Sequence, residues 1–327
     1  AVSSITFSIV STPALPQITA LIPNSGDTTG QYDIEIVGQN LLTNGAISVG
    51  FNPGSCVSTN LVANKVYCKV PAGQGSANIT ATSWGSTSSA QTFTYNAPLI
   101  NSVSPNHGSS TGNYKITLAG TNFGSSSQLV TIGGVSCPIF SSSHTQIICT
   151  VPAGTGKDLL TDVSVGGVNS LLKPVFSYDR PTLTSVQCAD AKTSGGTTVT
   201  IAGTNFGIAG TASVSIASSF CSIISRTHIE IRCTLPAGQG PTNTLSVTIA
   251  GQSSTTNLNF AYNSPAIASV NPASVSTVGG TEITISGSNF GSSGVVTVGS
   301  SVCTQTSYSH TVVKCSAPSG QGSGISI

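Results

Sequence analysis

Cysteine supplies the most regular chemistry in this chain. Eleven residues separate Cys56 from Cys68, Cys137 from Cys149, Cys221 from Cys233 and Cys303 from Cys315. Two thiols twelve positions apart, on neighbouring strands, are well placed for a disulfide. Closing so short a loop contributes about 3 kcal/mol in the chain-entropy picture. A zinc site is the competing chemistry. His144, His228 and His310 each stand five residues before the second cysteine, which gives a Cys2His set in three copies. Zinc wants four ligands, and the first copy has Ala63 at that position and no histidine. The spacing therefore reads as four disulfides and no metal. The three histidines read as residues that begin a strand, with a pH-sensitive contact between arrays as the sharper alternative. Cys188 is the ninth cysteine and the odd one. It is expected to be an unpaired buried thiol, a partner to a cysteine outside this segment, or half of an intermolecular disulfide linking neighbouring arrays.

Other motifs are weaker. The run Gly108-Ser109-Ser110-Thr111-Gly112 matches a nucleophile elbow, with His107 beside it. That motif needs a strand-to-helix turn and a third member, and neither is evident. Gly-x-Gly recurs at residues 71–75, 152–156, 236–240 and 318–322. A phosphate loop would also need a following helix, so these read as turns between strands. Trp84, the only tryptophan, reads as a residue at the edge of the core, with an exposed binding anchor as the alternative. Asn78-Ile79-Thr80 is the only N-glycosylation sequon, and strand alternation points Asn78 outward. No pair of carboxylates recurs among nine acidic residues, so no catalytic residues, no cofactor and no enzyme activity are expected.

The cysteine pairs recur after 81, 84 and 82 residues. A fixed period of this kind signals an array of like domains. Charged residues make up 6% of the chain and the net charge is +1, against about 25% charged in ordinary globular proteins. There is no basic stripe for nucleic acid, no carboxylate cage for calcium and no apolar run long enough to span a bilayer. Paired cysteines point to an oxidising, extracellular or cell-surface compartment. A surface of Ser, Thr, Asn and Gly suits a secreted protein, a glycosylated one, or one that packs against its own copies.

The elements follow from the repeat. After Pro16, Pro98, Pro181 and Pro265 come the alternating segments QITALIP, LINSVSP, TLTSVQC and AIASVNP, each a half-buried strand. A Gly/Ser/Thr turn leads to DIEIVG, KITLAG, TVTIAG and EITISG. Here Ile34 and Ile36, Ile116 and Leu118, Val199 and Ile201, Ile283 and Ile285 face the core. Phe123, Phe206 and Phe290 of the next turn cap it, with Leu41 or Leu42 substituting in the first copy. A last hairpin ends at Phe93 and Tyr95, Phe176 and Tyr178, Phe260 and Tyr262. Short strands between turn signals, without helical periodicity, predict an all-β sandwich.

Taken together, P-x-I-x-x-[VI]-x-P, the glycine turn, x-[IV]-x-[IL]-x-G-x-N-F, C…C-x-x-P and the terminal F-x-Y resemble the IPT/TIG domain family over essentially the whole chain. The resemblance implies tandem immunoglobulin-like β-sandwiches, as found in plexins and related receptors, surface proteins, carbohydrate-active enzymes and Rel-type transcription factors. It says little about function by itself. Two departures stand out: Cys188 replaces the proline found at Pro23, Pro105 and Pro272, and the first copy lacks the Asn-Phe-Gly turn.

The expected division is residues 1–15 as the C-terminal strand of a preceding repeat, then repeats at 16–97, 98–180, 181–264 and a truncated 265–327. Short proline junctions are expected to set the repeats end to end as a rod. Targeting and anchoring signals are expected outside this stretch. Three functions remain in play. The first is an extracellular structural or adhesive array, forming a fibre, stalk or surface appendage by self-association. The second is the ectodomain of an adhesion protein or receptor that binds a protein or glycan. The third is a spacer or glycan-binding module of a carbohydrate-active enzyme. No nucleic-acid partner and no membrane insertion within the segment are expected.

Overall fold

A computed structural model describes residues 14–41, 47–62 and 65–327. The strand expected in residues 1–15, Leu42 and Ala63 lie outside the described residues, apart from residues 14 and 15 themselves. Every named element among the described residues is a β-strand. The chain forms two compact units. One holds residues up to Asn106 together with Asn113–Pro152 and Leu159–Phe176; the other holds His107–Gly112, Ala153–Asp158 and Ser177–Ile327.

Repeat 1 shows the sandwich plainly. One sheet runs Gln17–Ile22, Asp33–Gln39, Lys65–Lys69, Ser58–Val62. The other runs Ser25–Gly26, Gln91–Tyr95, Ser76–Ser83, Ile47–Asn52. Alternate residues point between the sheets, so Ile34, Ile36, Phe51, Ile79 and Phe93 form a buried core. Such burial contributes roughly 1.5–3 kcal/mol for each large side chain. Repeat 3 follows the same plan, but its long strand Ser219–Arg226 pairs with Glu230–Thr234 on one side and Ala212–Ile216 on the other. That strand joins both sheets into one of eight strands. The caps differ among copies. Phe123 and Phe206 are fully buried and Leu41 fills the place in repeat 1, whereas Phe290 is only half-buried.

Two invariant glycines have steric causes. The first strand of every repeat carries a bulge at the same point, between Ile18 and Ala20, Ile100 and Ser102, Leu183 and Ser185, Ile267 and Ser269. Gly38, Gly120, Gly203 and Gly287 lie opposite, and a Cβ on any of them would collide with the carbonyl of Gln17, Leu99, Thr182 or Ala266. The glycine of Pro-Ala-Gly lies under a tyrosine ring: Gly73 under Tyr95, Gly154 under Tyr178, Gly238 under Tyr262. Tyr95 donates its hydroxyl to the Pro71 carbonyl at 2.8 Å and Tyr262 donates to Pro236 at 2.9 Å. This bond closes the corner between hairpin and turn.

Burial drives Tyr95 and Tyr32 up to about 12, from an ordinary 10.0, because the phenolate is poorly solvated there. For Tyr32 the nearby Tyr95 and Asp27 add to the effect. A raised folded value stabilises the neutral form. That stabilisation is complete below pH 10 and is lost as pH rises through about 12. Phenolate absorbance is therefore expected to show part of the seven tyrosines ionising late, with repeat 1 unfolding as they do. Tyr95→Phe should remove one late step. A single uniform transition near pH 10 would contradict this.

Candidate functional site

The four cysteine pairs are disulfides, with Cα–Cα separations of 5.5, 5.6, 5.5 and 5.6 Å. The second cysteine lies in a central strand of the first sheet. The first sits where the chain leaves the second sheet: the Cys137 N–H donates to Val130 O at 2.8 Å, Cys221 pairs with Val214, and the Cys303 N–H donates to Val296 O at 2.9 Å. In repeat 3 the bridge links the neighbouring strands Ser219–Arg226 and Glu230–Thr234, at the point where the first of them passes over to Ala212–Ile216. Among the described residues no group of three or more His, Cys, Asp or Glu could hold a metal.

The histidines are not at strand starts. Each lies in the bend before the strand and reaches the repeat that precedes it in the chain. The His144 Nδ1 is 2.9 Å from the Thr28 hydroxyl, His228 Nδ1 is 3.1 Å from the Ser110 hydroxyl, and His310 Nδ1 is 3.0 Å from the Thr193 hydroxyl. The backbone N–H of the same three residues donates to an asparagine of the following repeat: Thr28 to Asn122 at 3.1 Å, Ser110 to Asn205 at 3.2 Å, Thr193 to Asn289 at 3.3 Å. Thr28, Ser110 and Thr193 are all but inaccessible to solvent. Their polar atoms would be costly to bury without these partners.

Local conformation positions the clasp. Asn122, Asn205 and Asn289 belong to the G-x-N-F turn and have φ of 60°, 61° and 59°. Asparagine tolerates this left-handed region better than most residues. From there its amide faces both ways: the Asn205 Nδ2 donates to the Arg180 carbonyl just before Pro181 at 3.4 Å, and the Asn40 Nδ2 reaches Leu15 O likewise at 3.0 Å. The hydroxyl residue stands two places before a glycine in the Gly/Ser/Thr turn. That turn is closed from below by the Gly73, Gly154 and Gly238 N–H groups, which donate to Thr28, Ser110 and Thr193 carbonyls at 3.0, 3.0 and 2.9 Å.

A second strap runs beside it. The Gln239 Oε1 accepts from the N–H of Ser292 at 2.7 Å and of Ser293 at 3.2 Å, while its Nε2 donates to Ser293 O at 3.0 Å. Gln74 accepts from the Ser126 N–H at 3.4 Å, and Thr155 donates to Ala209 O at 3.0 Å. The Pro-Ala-Gly-x-Gly turn, expected to be only a connection between strands, is therefore also a contact to the next repeat through its variable residue. The linkers are fastened as well. The N–H groups of Asn96, Asp179 and Asn263 donate to Gly26, Gly108 and Ala191 carbonyls at 2.8, 2.8 and 2.9 Å.

The elbow-like serine, Ser110, does meet a histidine, but in a structural clasp. Its N–H is committed to Asn205, and Thr28 with His144 and Thr193 with His310 repeat the geometry without a serine. His107 lies 2.8 Å from Asp179 instead. Trp84 corrects the core-edge expectation. It is 57% exposed, at φ 53°, in the Trp84-Gly85 turn between Ser76–Ser83 and Ser86–Thr87. A two-residue hairpin turn of this twist takes positive φ at both positions, and its tip lies beyond the sandwich. Asn78 is exposed on its strand, between buried Ala77 and Ile79. Cys188 is a free, half-buried thiol against the repeat 3 core. Sequence reasoning missed the hydroxyls, the asparagines and the turn glutamines. Their signal was recurrence at fixed offsets from glycine and phenylalanine.

Sandwiches stapled by one disulfide each and clasped to their neighbours define a tandem array of immunoglobulin-like domains. The chain belongs to the IPT/TIG domain family, whose model matches residues 16–95, 98–178, 181–262 and 265–327. Human Fibrocystin-L is 27% identical over 320 residues, covering 92% of this chain and 8% of that protein. Plexin-2 of Caenorhabditis elegans is 30% identical over 218 residues, covering 62% of this chain and 12% of that protein. The chain thus spans a small part of each relative. Among solved structures, the full extracellular region of plexin A4 is 18% identical, covers 95% of this chain and 29% of its own, and superposes with a TM-score of 0.28. No helix among the described residues is long and apolar enough to cross a membrane.

Proposed function

We propose that this chain is a segment of the extracellular region of a cell-surface protein, in which clasped repeats at 16–97, 98–180, 181–264 and 265–327 space and present surfaces to another protein. The observation that carries the reading is the junction. Each of three junctions spends two hydrogen bonds from one buried Thr or Ser on the following repeat. A flexible linker would need none of them. Four disulfides support an oxidising compartment, and the relationship to Fibrocystin-L and Plexin-2 supports an ectodomain over a fibre or a glycan-binding module. Asn78, exposed in its sequon, is the residue to carry an N-glycan.

Labelling intact cells that express the full-length protein with a membrane-impermeant amine reagent tests the location. The protein should be labelled without permeabilisation. Labelling only after permeabilisation would overturn the reading.

A further inference from the structure

Each clasp covers the asparagine of the repeat that receives it. Asn122, Asn205 and Asn289 are half-buried, with the turn of the preceding repeat against them. In repeat 1 the same position is bare: Asn40 is exposed, as are its neighbours Gly38 and Gln39. Yet Asn40 is set for a clasp. Its φ is 56°, beside 60°, 61° and 59° in the other three. Its Nδ2 donates at 3.0 Å to the carbonyl of Leu15, just before Pro16, as the Asn205 Nδ2 donates at 3.4 Å to Arg180, just before Pro181. That bond orients the amide, so the Asn40 Oδ1 is aimed as the Asn205 Oδ1 is where it accepts from the Ser110 N–H. A second feature lies on the hairpin tips. Trp84-Gly85, Gly166-Gly167 and Ala250-Gly251 share one twist, with φ of 53°, 57° and 46° at the first residue. The tip of repeat 2 abuts the preceding repeat: a Cβ on Gly166 would stand 3.0 Å from the Gly75 N of the Pro-Ala-Gly-x-Gly turn. In repeat 1 that tip carries Trp84, 57% exposed.

We propose that this end of repeat 1 seats a further sandwich of the same family, the one whose last strand leads into Leu15-Pro16 in the full-length protein, and that Asn40 accepts from a backbone N–H of its Gly/Ser/Thr turn. The three junctions choose the occupant. Wherever this asparagine is covered, its partner is the residue two places before a glycine in the turn of the preceding repeat. The proline entry and the bond to the residue before it are the same in repeat 1. The grip differs. The sequence has Ala63 in place of the histidine, and Leu42 in place of Gly124, Gly207 and Gly291. A Cβ on those three glycines would collide with Gln74, Thr155 or Gln239 of the preceding turn. The histidine bond and the turn strap are both lost here, and the N–H to Asn40 is what remains of the clasp. Trp84 offers contact area in their stead, since a large side chain at that tip lies along the neighbouring turn. The joint ahead of repeat 1 is therefore looser than the three behind it. The inference rests on the chain being a segment of a longer protein and not on where that protein resides, so cell labelling and the experiment below can fail separately.

Hydrogen exchange read by mass spectrometry on the full-length protein tests the proposal. Asn40→Ala should speed exchange roughly tenfold, the equivalent of one lost hydrogen bond, in one peptide N-terminal to residue 1, at a position two places before a turn glycine. The peptides holding Thr28, Ser110 and Thr193 should be unchanged. Asn40→Gly accepts the positive φ without strain and lacks the amide. It should give the same upstream loss with repeat 1 as protected as in wild type, which separates the clasp from poor folding of repeat 1. Oxidative footprinting supplies a second reading: Trp84 should oxidise several-fold more slowly in the full-length protein than in the segment 1–327. The proposal is overturned if no upstream peptide responds, if the responding peptide belongs to another copy or another protein, or if Trp84 oxidises equally fast in both.

Discussion

Replacing Cys221 and Cys233 together by alanine is expected to destabilise repeat 3 by about 3 kcal/mol. Both residues are buried, at 3% and 0% exposure, and they lie on neighbouring strands. Cys221 pairs with Val214 on the far side of its strand, and Cys233 pairs with Val199 on the far side of its own. The bridge closes a loop of twelve positions, and its removal frees the unfolded chain more than it disturbs the folded one. The loss is a large share of the ~5–15 kcal/mol that holds a domain together. Denaturant unfolding should show the repeat 3 transition moving to much lower denaturant. An unmoved transition would mean that the sheet-to-sheet packing alone holds the sandwich.

The second large effect concerns a surface asparagine. Asn205→Ala should weaken the coupling of repeats 2 and 3 by about 2–4 kcal/mol. Alanine forfeits three bonds: from the Ser110 N–H at 3.2 Å, from the Ser109 hydroxyl at 3.1 Å, and to the Arg180 carbonyl at 3.4 Å. It also places an ordinary Cβ residue at φ 61°, which asparagine bears more easily. Asn205→Gly separates the two causes, since glycine relieves the backbone and still lacks the amide. If the clasp matters, the glycine variant recovers only the backbone part, and repeats 2 and 3 unfold in separate steps. If the glycine variant behaves as wild type, the amide does nothing beyond setting the turn.

The sandwich was legible in the sequence because its rules are periodic. Ile34 and Ile36 alternate with polar neighbours, as do Val199 and Ile201, and each such pair lies in the core. Strand glycines such as Gly203 recur because the bulge opposite leaves no room for a Cβ. The junctions were not legible, for a different reason. Thr28, Ser110 and Asn122 are residue types that turns favour on local grounds alone, so nothing in their identity announces a partner. His144 and Thr28 stand 116 positions apart, and periodicity reveals that a residue recurs without revealing what it touches. Trp84 was misplaced because a large aromatic is usually buried, whereas its hairpin turn fixes its position by backbone twist.

The central claim is that one buried hydroxyl residue in each turn is gripped by the Asn and His of the next repeat. Amide hydrogen exchange at Thr28, Ser110 and Thr193 tests it most directly, because each N–H donates only across a junction to Asn122, Asn205 or Asn289. Slow exchange is expected at all three. In Asn205→Ala, Ser110 alone should lose protection while Thr28 and Thr193 keep theirs. Exchange of all three amides at the rate of open turns, with the sandwiches still folded, would contradict the clasp.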